Sequence, residues 1–331
     1  MKRILFYARD LYPARGGGSL SMIPLLSAMA ARGHAVVSVN SGLGKGITEE
    51  TIFFADGFSG IVSLKPEERV LEVAAGLEPD LLVTQGWGSA EAVLLAKELR
   101  VPCVLFIIDL IQLTDQAYCD YGLDFAANRE IFSMADIVVA NSHYTRKRVL
   151  ELAAIDSTVI YPVIREEDFQ AEERQEQGFA TLAGATPLKG LNLLLEQAPR
   201  IPCPCLVCGD MPPEFAARVG KTPNVAATGH VDDMREVYSR TSCLLMLSQW
   251  EETFGRVMVE AHLNGIPVVA LDRGAAREVA GKAAIYVSQA KDLPKAVKDA
   301  LSIDPELCRE NAARFKSKEQ IDTFGKLVEM V

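Results

Sequence analysis

The residues of this chain whose types and spacing could do chemistry concentrate between Ser248 and Ser288. Two glutamates, Glu252 and Glu260, stand with seven residues between them and Arg256 midway. A strand ending near Leu247 leads into a short loop, and residues 254–263 read as a helix with Thr253 as candidate cap and Gly265 and Pro267 closing it. A helix start presents unpaired N–H donors and the positive end of the peptide dipole. The amides of Phe254, Gly255 and Arg256 are therefore expected to face an anion, and Gly255 lacks the side chain that would block its approach, so phosphate belongs there. Arg256 and Glu260 lie one turn apart on one helix face, one suited to phosphate and the other to a hydroxyl. Val257, Met258, Val259, Ala261 and Leu263 surround Glu260, which implies a buried carboxylate in need of firm hydrogen-bond partners. A ribose diol would supply them. The competing reading is an Arg256–Glu260 ion pair, with Glu252 favouring the helix start only electrostatically.

The elements that must position these groups alternate from end to end. Residues 3–8, 35–40, 81–84, 103–108 and 137–140 are continuous apolar runs of the kind that suit a parallel sheet covered on both faces. Helical segments at 20–31, 90–99, 126–134 and 144–152 separate them, with apolar residues three and four apart. A second series follows at 178–183, 205–207, 225–227, 244–247, 268–271 and 283–287. The fold class is thus α/β, two doubly wound Rossmann-like units facing a central cleft. At 331 residues, two cores are the default. The boundaries are set at 1–165 for the first unit, 166–177 for a polar linker in which only Phe169 and Ala171 are apolar, 178–315 for the second unit, and 316–331 for a final helix carrying Ile321, Phe324, Leu327 and Val328. The ligand site is expected in the crevice at the carboxyl ends of the strands.

Composition narrows the partners. With 49% hydrophobic and 24% charged residues the chain reads as an ordinary globular protein, and its net charge of −10 opposes binding nucleic acid or an anionic membrane over a broad face. The first apolar run is too short for a signal peptide and no run reaches a membrane span, so a cytoplasmic protein without an integral membrane segment is expected. Seven scattered cysteines suit a reducing compartment. Cys203, Cys205 and Cys208 resemble half of a metal site, but they fall in or beside a stretch, 201–207, that reads as a buried strand, and His34, His143, His230 and His262 show no ligand spacing. No structural metal is expected.

The segment E-x-F-G-x-x-x-x-E-A-x-x-x-G-x-P-V-V from Glu252, followed by Gly274 and Glu278, resembles the donor-site signature of the family 4 retaining glycosyltransferases, which have the two-domain GT-B fold. That resemblance implies transfer of a sugar from a nucleoside diphosphate to an acceptor hydroxyl, with the nucleotide sugar as substrate and no cofactor. It implies that Glu260 takes the nucleotide ribose and Glu252 the donor sugar, while the amides of Phe254, Gly255 and Arg256 line the sugar and diphosphate. The opening loop with Pro13, Gly16, Gly17 and Gly18 and the turn Arg32-Gly33-His34 are similar to the family's glycine-rich loop and R-G-H turn, which makes Gly17 and Gly18 donor contacts. Residues 136–146, DIVVANSHYTR, resemble the family's strand and N-S-x-x-T turn; 208–210 and 229–231, including Val231, stand where the family brings backbone close to the base. Lys189-Gly190 matches the family's Lys-Gly, whose lysine reaches the leaving diphosphate. The final helix is, in the family, one that crosses back to the first domain.

Two positions depart from the pattern. Gly184 stands where the family usually has an arginine, with Arg256 or Arg15 as possible substitutes, and FIIDLIQLTD lacks the family's histidine, leaving Asp109 as the nearest polar group for the acceptor. Glu252, Lys189 and Arg256 are accordingly assigned as catalytic, with the departing phosphate accepting the acceptor's proton and the positive charge supplied without a metal. A catalytically silent nucleotide-sugar-binding or assembly module of the same fold is the rival. A dinucleotide-binding reading of Gly16–Gly18 fails on spacing, on Ser21 at the third glycine position, and on Asn40 and Ser41 where an acidic ribose ligand would stand.

Overall fold

The computed structural model describes residues 1–14, 16–42, 46–114, 123–175 and 178–331. The chain forms two compact units, Met1–Val163 with Ser317–Val331, and Ile164–Lys316.

The first unit carries β1 (Arg3–Tyr7), β2 (Ala35–Ser41), β3 (Thr51–Ala55), β4 (Phe58–Ser63), β5 (Leu81–Gln85), β6 (Cys103–Ile107), β7 (Ile137–Ala140) and β8 (Thr158–Val159), with α1 (Gly17–Ala31), α2 (Pro66–Leu77), α3 (Ser89–Leu99), α4 (Phe125–Phe132) and α5 (His143–Ala153). The strand order is β3-β4-β2-β1-β5-β6-β7-β8. Every position of β5 and β6 is buried, including Thr84 and Gln85 at the end of β5, as strands at the middle of a covered parallel sheet are. The reading of apolar runs passed over β3, β4 and β8. β3 and β4 are an antiparallel hairpin closed by Asp56-Gly57, with Gly57 at φ 93°. Asp-Gly is a strong two-residue turn signal; β3 lies at an edge, with Phe53 inward and Ile52 and Phe54 outward.

The second unit carries β9 (Phe179–Ala183), β10 (Cys205–Cys208), β11 (Val225–Gly229), β12 (Thr241–Met246), β13 (Val268–Leu271) and β14 (Ala284–Val287). Its helices are α6 (Leu191–Gln197), α7 (Pro213–Lys221), α8 (Met234–Ser239), α9 (Arg256–Leu263), α10 (Ala276–Ala280), α11 (Leu293–Ala300) and α12 (Pro305–Ala312). All the pairings are parallel, in the order β11-β10-β9-β12-β13-β14. The polar stretch read as a linker belongs to this unit. Phe169 is buried, its carbonyl accepts from Asn264 Nδ2 at 3.0 Å, and Ala171 N donates to Asn264 Oδ1 at 2.8 Å. Arg174 donates to the carbonyls of Thr241 and Asn264, each at 2.8 Å. Polar groups satisfied by polar groups hold the segment down, which an apolar count does not reveal; Glu176 and Gln177 lie outside the described residues. The strand expected over 201–207 begins only at Cys205, because Pro202 and Pro204 cannot donate to a ladder. Cys205 and Cys208 are buried in it, and burial pushes the Cys205 thiol up to about 12.

The last helix, α13 (Ser317–Met330), belongs to the first unit. Phe324 and Val328 are fully buried there, and the Phe324 ring meets Phe106 edge-on at 5.4 Å. Burying side chains of this size contributes ~1.5–3 kcal/mol each.

Candidate functional site

In the second unit β12 runs out at Met246, and the chain turns through Ser248–Gly255 before α9 begins at Arg256, two residues later than the sequence suggests. The capping position is Gly255, with φ 79° and ψ 64°, and not Thr253. Such a left-handed conformation favours glycine for backbone reasons, and a Cβ there would stand 2.7 Å from Met258 Cε and 2.8 Å from Met246 Cε. Gly255 is thus required by the turn and by methionine packing, which differs from the expected clearance for an anion. Phe254 is an anchor in the core: its buried ring meets Phe315 edge-on at 5.4 Å.

Across the first turn of α9, Arg256 and Glu260 form the ion pair that the sequence left as the competing reading. Arg256 Nε donates to Glu260 Oε1 at 3.2 Å, and the two side chains are 8% and 5% exposed. The guanidinium also lies over the Phe169 ring, 5.5 Å from its centroid. The second carboxylate oxygen accepts from the hydroxyl of Tyr238 at 2.7 Å. Tyr238 comes from α8 and is fully buried; burial first, and then the charge of Glu260, hold its hydroxyl far above the ordinary range. Sequence reading missed Tyr238, since an isolated tyrosine in a six-residue helix carries no motif.

Glu252 occupies the loop before α9 with a different set of partners. Ser248 Oγ donates to its Oε1 at 2.6 Å, and Lys189 Nζ donates to the same oxygen. Burial pushes its carboxyl up most strongly, but the Lys189 charge and hydrogen bond, with those from Ser248 and Trp250, hold it below the ordinary Glu value. Gly274, at φ 61°, lets its loop close on the Glu252 backbone, where an added Cβ would be 2.4 Å from the carbonyl oxygen. Ala275 N donates to that oxygen at 2.8 Å. Glu252 is thereby fixed in both backbone and side chain.

Lys189 closes the short turn Pro187–Lys189 after β9, where Thr186 caps by accepting from Lys189 N. Gly190, at φ 94°, then opens α6; a Cβ there would fall 2.4 Å from the Leu247 carbonyl oxygen. The lysine ammonium lies 4.5 Å from the centre of the Trp250 ring. Gly184, where the resembled family has arginine, has φ 112°, and a Cβ on it would be 2.8 Å from Lys189 Cγ. In this chain the lysine stem occupies the space beside Gly184, and a side chain there would have to displace it.

The structure therefore brings Lys189, Glu252, Ser248 and Trp250 into one group, and Arg256, Glu260 and Tyr238 into another, at the two ends of one short connection. Val231 lines a separate cleft of about 560 Å³ with Thr228, His230 and Glu236, whose lining includes neither of those groups. Gly17, Gly18 and Asp109 belong to the first unit. There Asp109 Oδ1 accepts from Ile111 N at 3.0 Å, capping the turn after β6, and burial raises its carboxyl. Arg15 lies outside the described residues.

Two Rossmann-like units, one with paired acid and base groups around a helix start, are the arrangement expected of a GT-B glycosyltransferase. The comparisons with known proteins agree. The glycosyl transferases group 1 model matches residues 177–303 and the glycosyltransferase family 4 model matches residues 15–168. The chain belongs to the group 1 glycosyltransferases of the GT-B type. Among solved structures, HepE from Anabaena in complex with UDP and glucose is similar at a TM-score of 0.78 and 19% identity, covering 100% of both chains. Sucrose-phosphate synthase from Thermosynechococcus elongatus is similar at 0.80 and 18%, covering 100% of this chain and 99% of the other. A glycosyltransferase from Rickettsia africae reaches 0.73 and 17%, covering 98% and 97%. No curated protein matches the chain. Among the described residues no helix is long and apolar enough to cross a membrane.

Proposed function

We propose that the protein transfers a sugar from a nucleoside diphosphate to an acceptor hydroxyl with retention of anomeric configuration, using no cofactor and no metal. The same proposal sets it in the cytoplasm, since scattered cysteines suit a reducing compartment. The observation that carries it is the division of labour between two carboxylates on one loop and helix. Glu260 is held by Tyr238 and Arg256 as a fixed acceptor for the ribose hydroxyls. Arg256, called catalytic on the sequence, holds Glu260 through this pair and acts here as a positioning residue. Glu252, kept ionised by Lys189, accepts hydrogen bonds from the hydroxyls of the donor sugar.

Lys189 is the cation of this site. In the unliganded protein it pairs with Glu252; with donor bound it neutralises charge developing on the leaving diphosphate, the role a metal takes elsewhere. The departing phosphate oxygen then takes the proton of the incoming hydroxyl on the same face of the sugar, so the anomeric configuration is kept. The UDP complexes of HepE support a nucleotide-sugar donor for a chain of this fold.

The test is a panel of UDP, GDP, ADP and dTDP at saturating concentration, read by thermal stabilisation. One of them should raise the melting temperature of the wild type, and that rise should vanish in Glu260→Ala and Lys189→Ala. Turnover of the matching labelled nucleotide sugar, with the product anomer assigned by NMR, follows. A chain that binds the nucleotide tightly with no hydrolysis or transfer would be a silent module; no shift with any nucleotide would refute the site.

A further inference from the structure

The first sheet ends on β8, a two-residue strand that pairs with β7 alone. A cleft of about 630 Å³ opens at that edge, lined by Thr158 and Val159 of the strand, by Arg146 of α5 and by Gln320 and Leu327 of α13. All its lining residues belong to the first unit, and none of the residues assigned above to the donor or the acceptor is among them. Its size is that of a small-molecule site. Gln320 is 8% exposed; its Oε1 accepts from Tyr161 N at 2.8 Å, while its Nε2 donates to nothing among the described residues. Ser157, in the same lining, is 7% exposed, and its Oγ also has no partner among the described residues. Buried polar groups are rarely left unmet, so two around one cleft mark a place made for a polar guest.

The lining narrows the chemistry of that guest. Three carboxylates, Asp136, Asp156 and Glu319, stand against Arg146, whose guanidinium is already taken up by Asp156 at 2.9 and 3.2 Å. An excess of negative charge turns away phosphate and other anions. An ammonium ligand would suit the carboxylates, but it has no acceptor to offer Gln320 Nε2. A hydroxyl both donates and accepts, and so serves the carboxylates and the amide together. The cleft has apolar surface too, from Val159, Leu327 and Met330, and beside them stands Tyr161, whose ring His143 meets edge-on at 6.1 Å. A sugar ring joins an apolar C–H face to a rim of hydroxyls.

We infer that this cleft is a binding site for a neutral oligosaccharide, which Gln320 recognises by donating from Nε2 to a sugar hydroxyl while Tyr161 N fixes the other end of the amide. The inference goes beyond the glycosyl-transfer reading and does not rest on it, since the site is defined by residues of the first unit that take no part in that reading.

The experiment titrates the full chain with maltotriose, cellotriose and mannotriose in a calorimeter, with inorganic phosphate and spermidine as anionic and cationic probes, for wild type, Gln320→Glu and Thr158→Trp, alongside urea unfolding. At least one trisaccharide should bind the wild type. Gln320→Glu keeps an acceptor for Tyr161 N and removes only the free donor, so it should weaken that trisaccharide about three- to tenfold; a glutamine that served the fold alone would leave binding as it was. Thr158 is exposed on the edge strand, where tryptophan is well tolerated, so Thr158→Trp should fill the cleft and abolish binding with the urea midpoint unchanged. Should Gln320→Glu fail to fold, Thr158→Trp decides alone. The inference is overturned if no trisaccharide binds the wild type, if phosphate or spermidine binds in their place, or if either folded variant binds as the wild type does. In each of those cases the nucleotide panel, which reads Glu260 and Lys189 of the second unit, reports separately on glycosyl transfer.

Discussion

Replacing Tyr238 by phenylalanine removes one hydroxyl from a fully buried ring and leaves Glu260 Oε2 without the partner now at 2.7 Å. Glu260 itself is 4% exposed, so water has little access to replace that bond. A hydrogen bond to a charged group is worth ~1.5–3 kcal/mol. In a unit of this size that corresponds to a fall in melting temperature of about 3–12 °C. The two tryptophans make the measurement clean, because Trp87 is in the first unit and Trp250 in the second. In a Trp87→Phe background, Trp250 fluorescence during urea unfolding reports the second unit alone. The partner is identified by a double-mutant cycle with Glu260→Gln. Facing a neutral amide, the phenol should be worth only ~0.5–1.5 kcal/mol, which leaves a coupling of about 1–2 kcal/mol. Nucleotide affinity should fall severalfold in Tyr238→Phe, because the carboxylate that receives the ribose is no longer held from both sides. A cost below about 0.5 kcal/mol, or the same cost in both backgrounds, would refute the idea that Tyr238 positions Glu260.

Two pH dependences follow from the buried groups. Glu252 is held below its ordinary value of 4.5, so its contribution to stability is complete above about pH 4.5 and is lost as the pH falls through the lowered value. The stability difference between wild type and Glu252→Gln should shrink on acidification across that window, and Lys189→Met, which removes the opposing charge, should flatten the dependence; an unchanged slope in Lys189→Met would count against the pair. His262 is buried, with its ring nitrogens engaged by the Ala283 carbonyl at 3.2 Å and by Asn311 Nδ2 at 2.9 Å, and burial lowers it from 6.5 to about 4. The fold therefore favours the neutral ring, and the second unit should lose ~3 kcal/mol as the pH falls from about 6.5 to about 4, a loss that His262→Gln should abolish in unfolding measured by Trp250 fluorescence.

The alternation of apolar runs and amphipathic helices was enough to determine the fold class, because a strand buried on both faces leaves few polar choices; β7 and β13 fall at the residues where the runs do. The spacing of Glu252, Arg256 and Glu260, with Lys189-Gly190 at a turn after the preceding strand, likewise marked out the site, since backbone turns and helix faces are local properties. Local properties do not say which groups pair. Tyr238 reaches Glu260 across 22 residues of sequence, and Lys189 reaches Glu252 across 63, so only the packing of α8, α9 and the β9 turn decides that each carboxylate is held as it is. The same holds for Gly190 and Gly274, whose crowded surroundings are the Leu247 and Glu252 backbones, remote from them in the chain. Gln320 shows the limit most plainly: as a letter it is one polar residue in a helix, and only the approach of Tyr161, 159 residues away in sequence, takes one end of its amide and leaves the other unpaired on a side chain that lines a cleft. Periodicity is written in adjacent residues, whereas hydrogen-bond satisfaction depends on distances between elements that folding alone brings together.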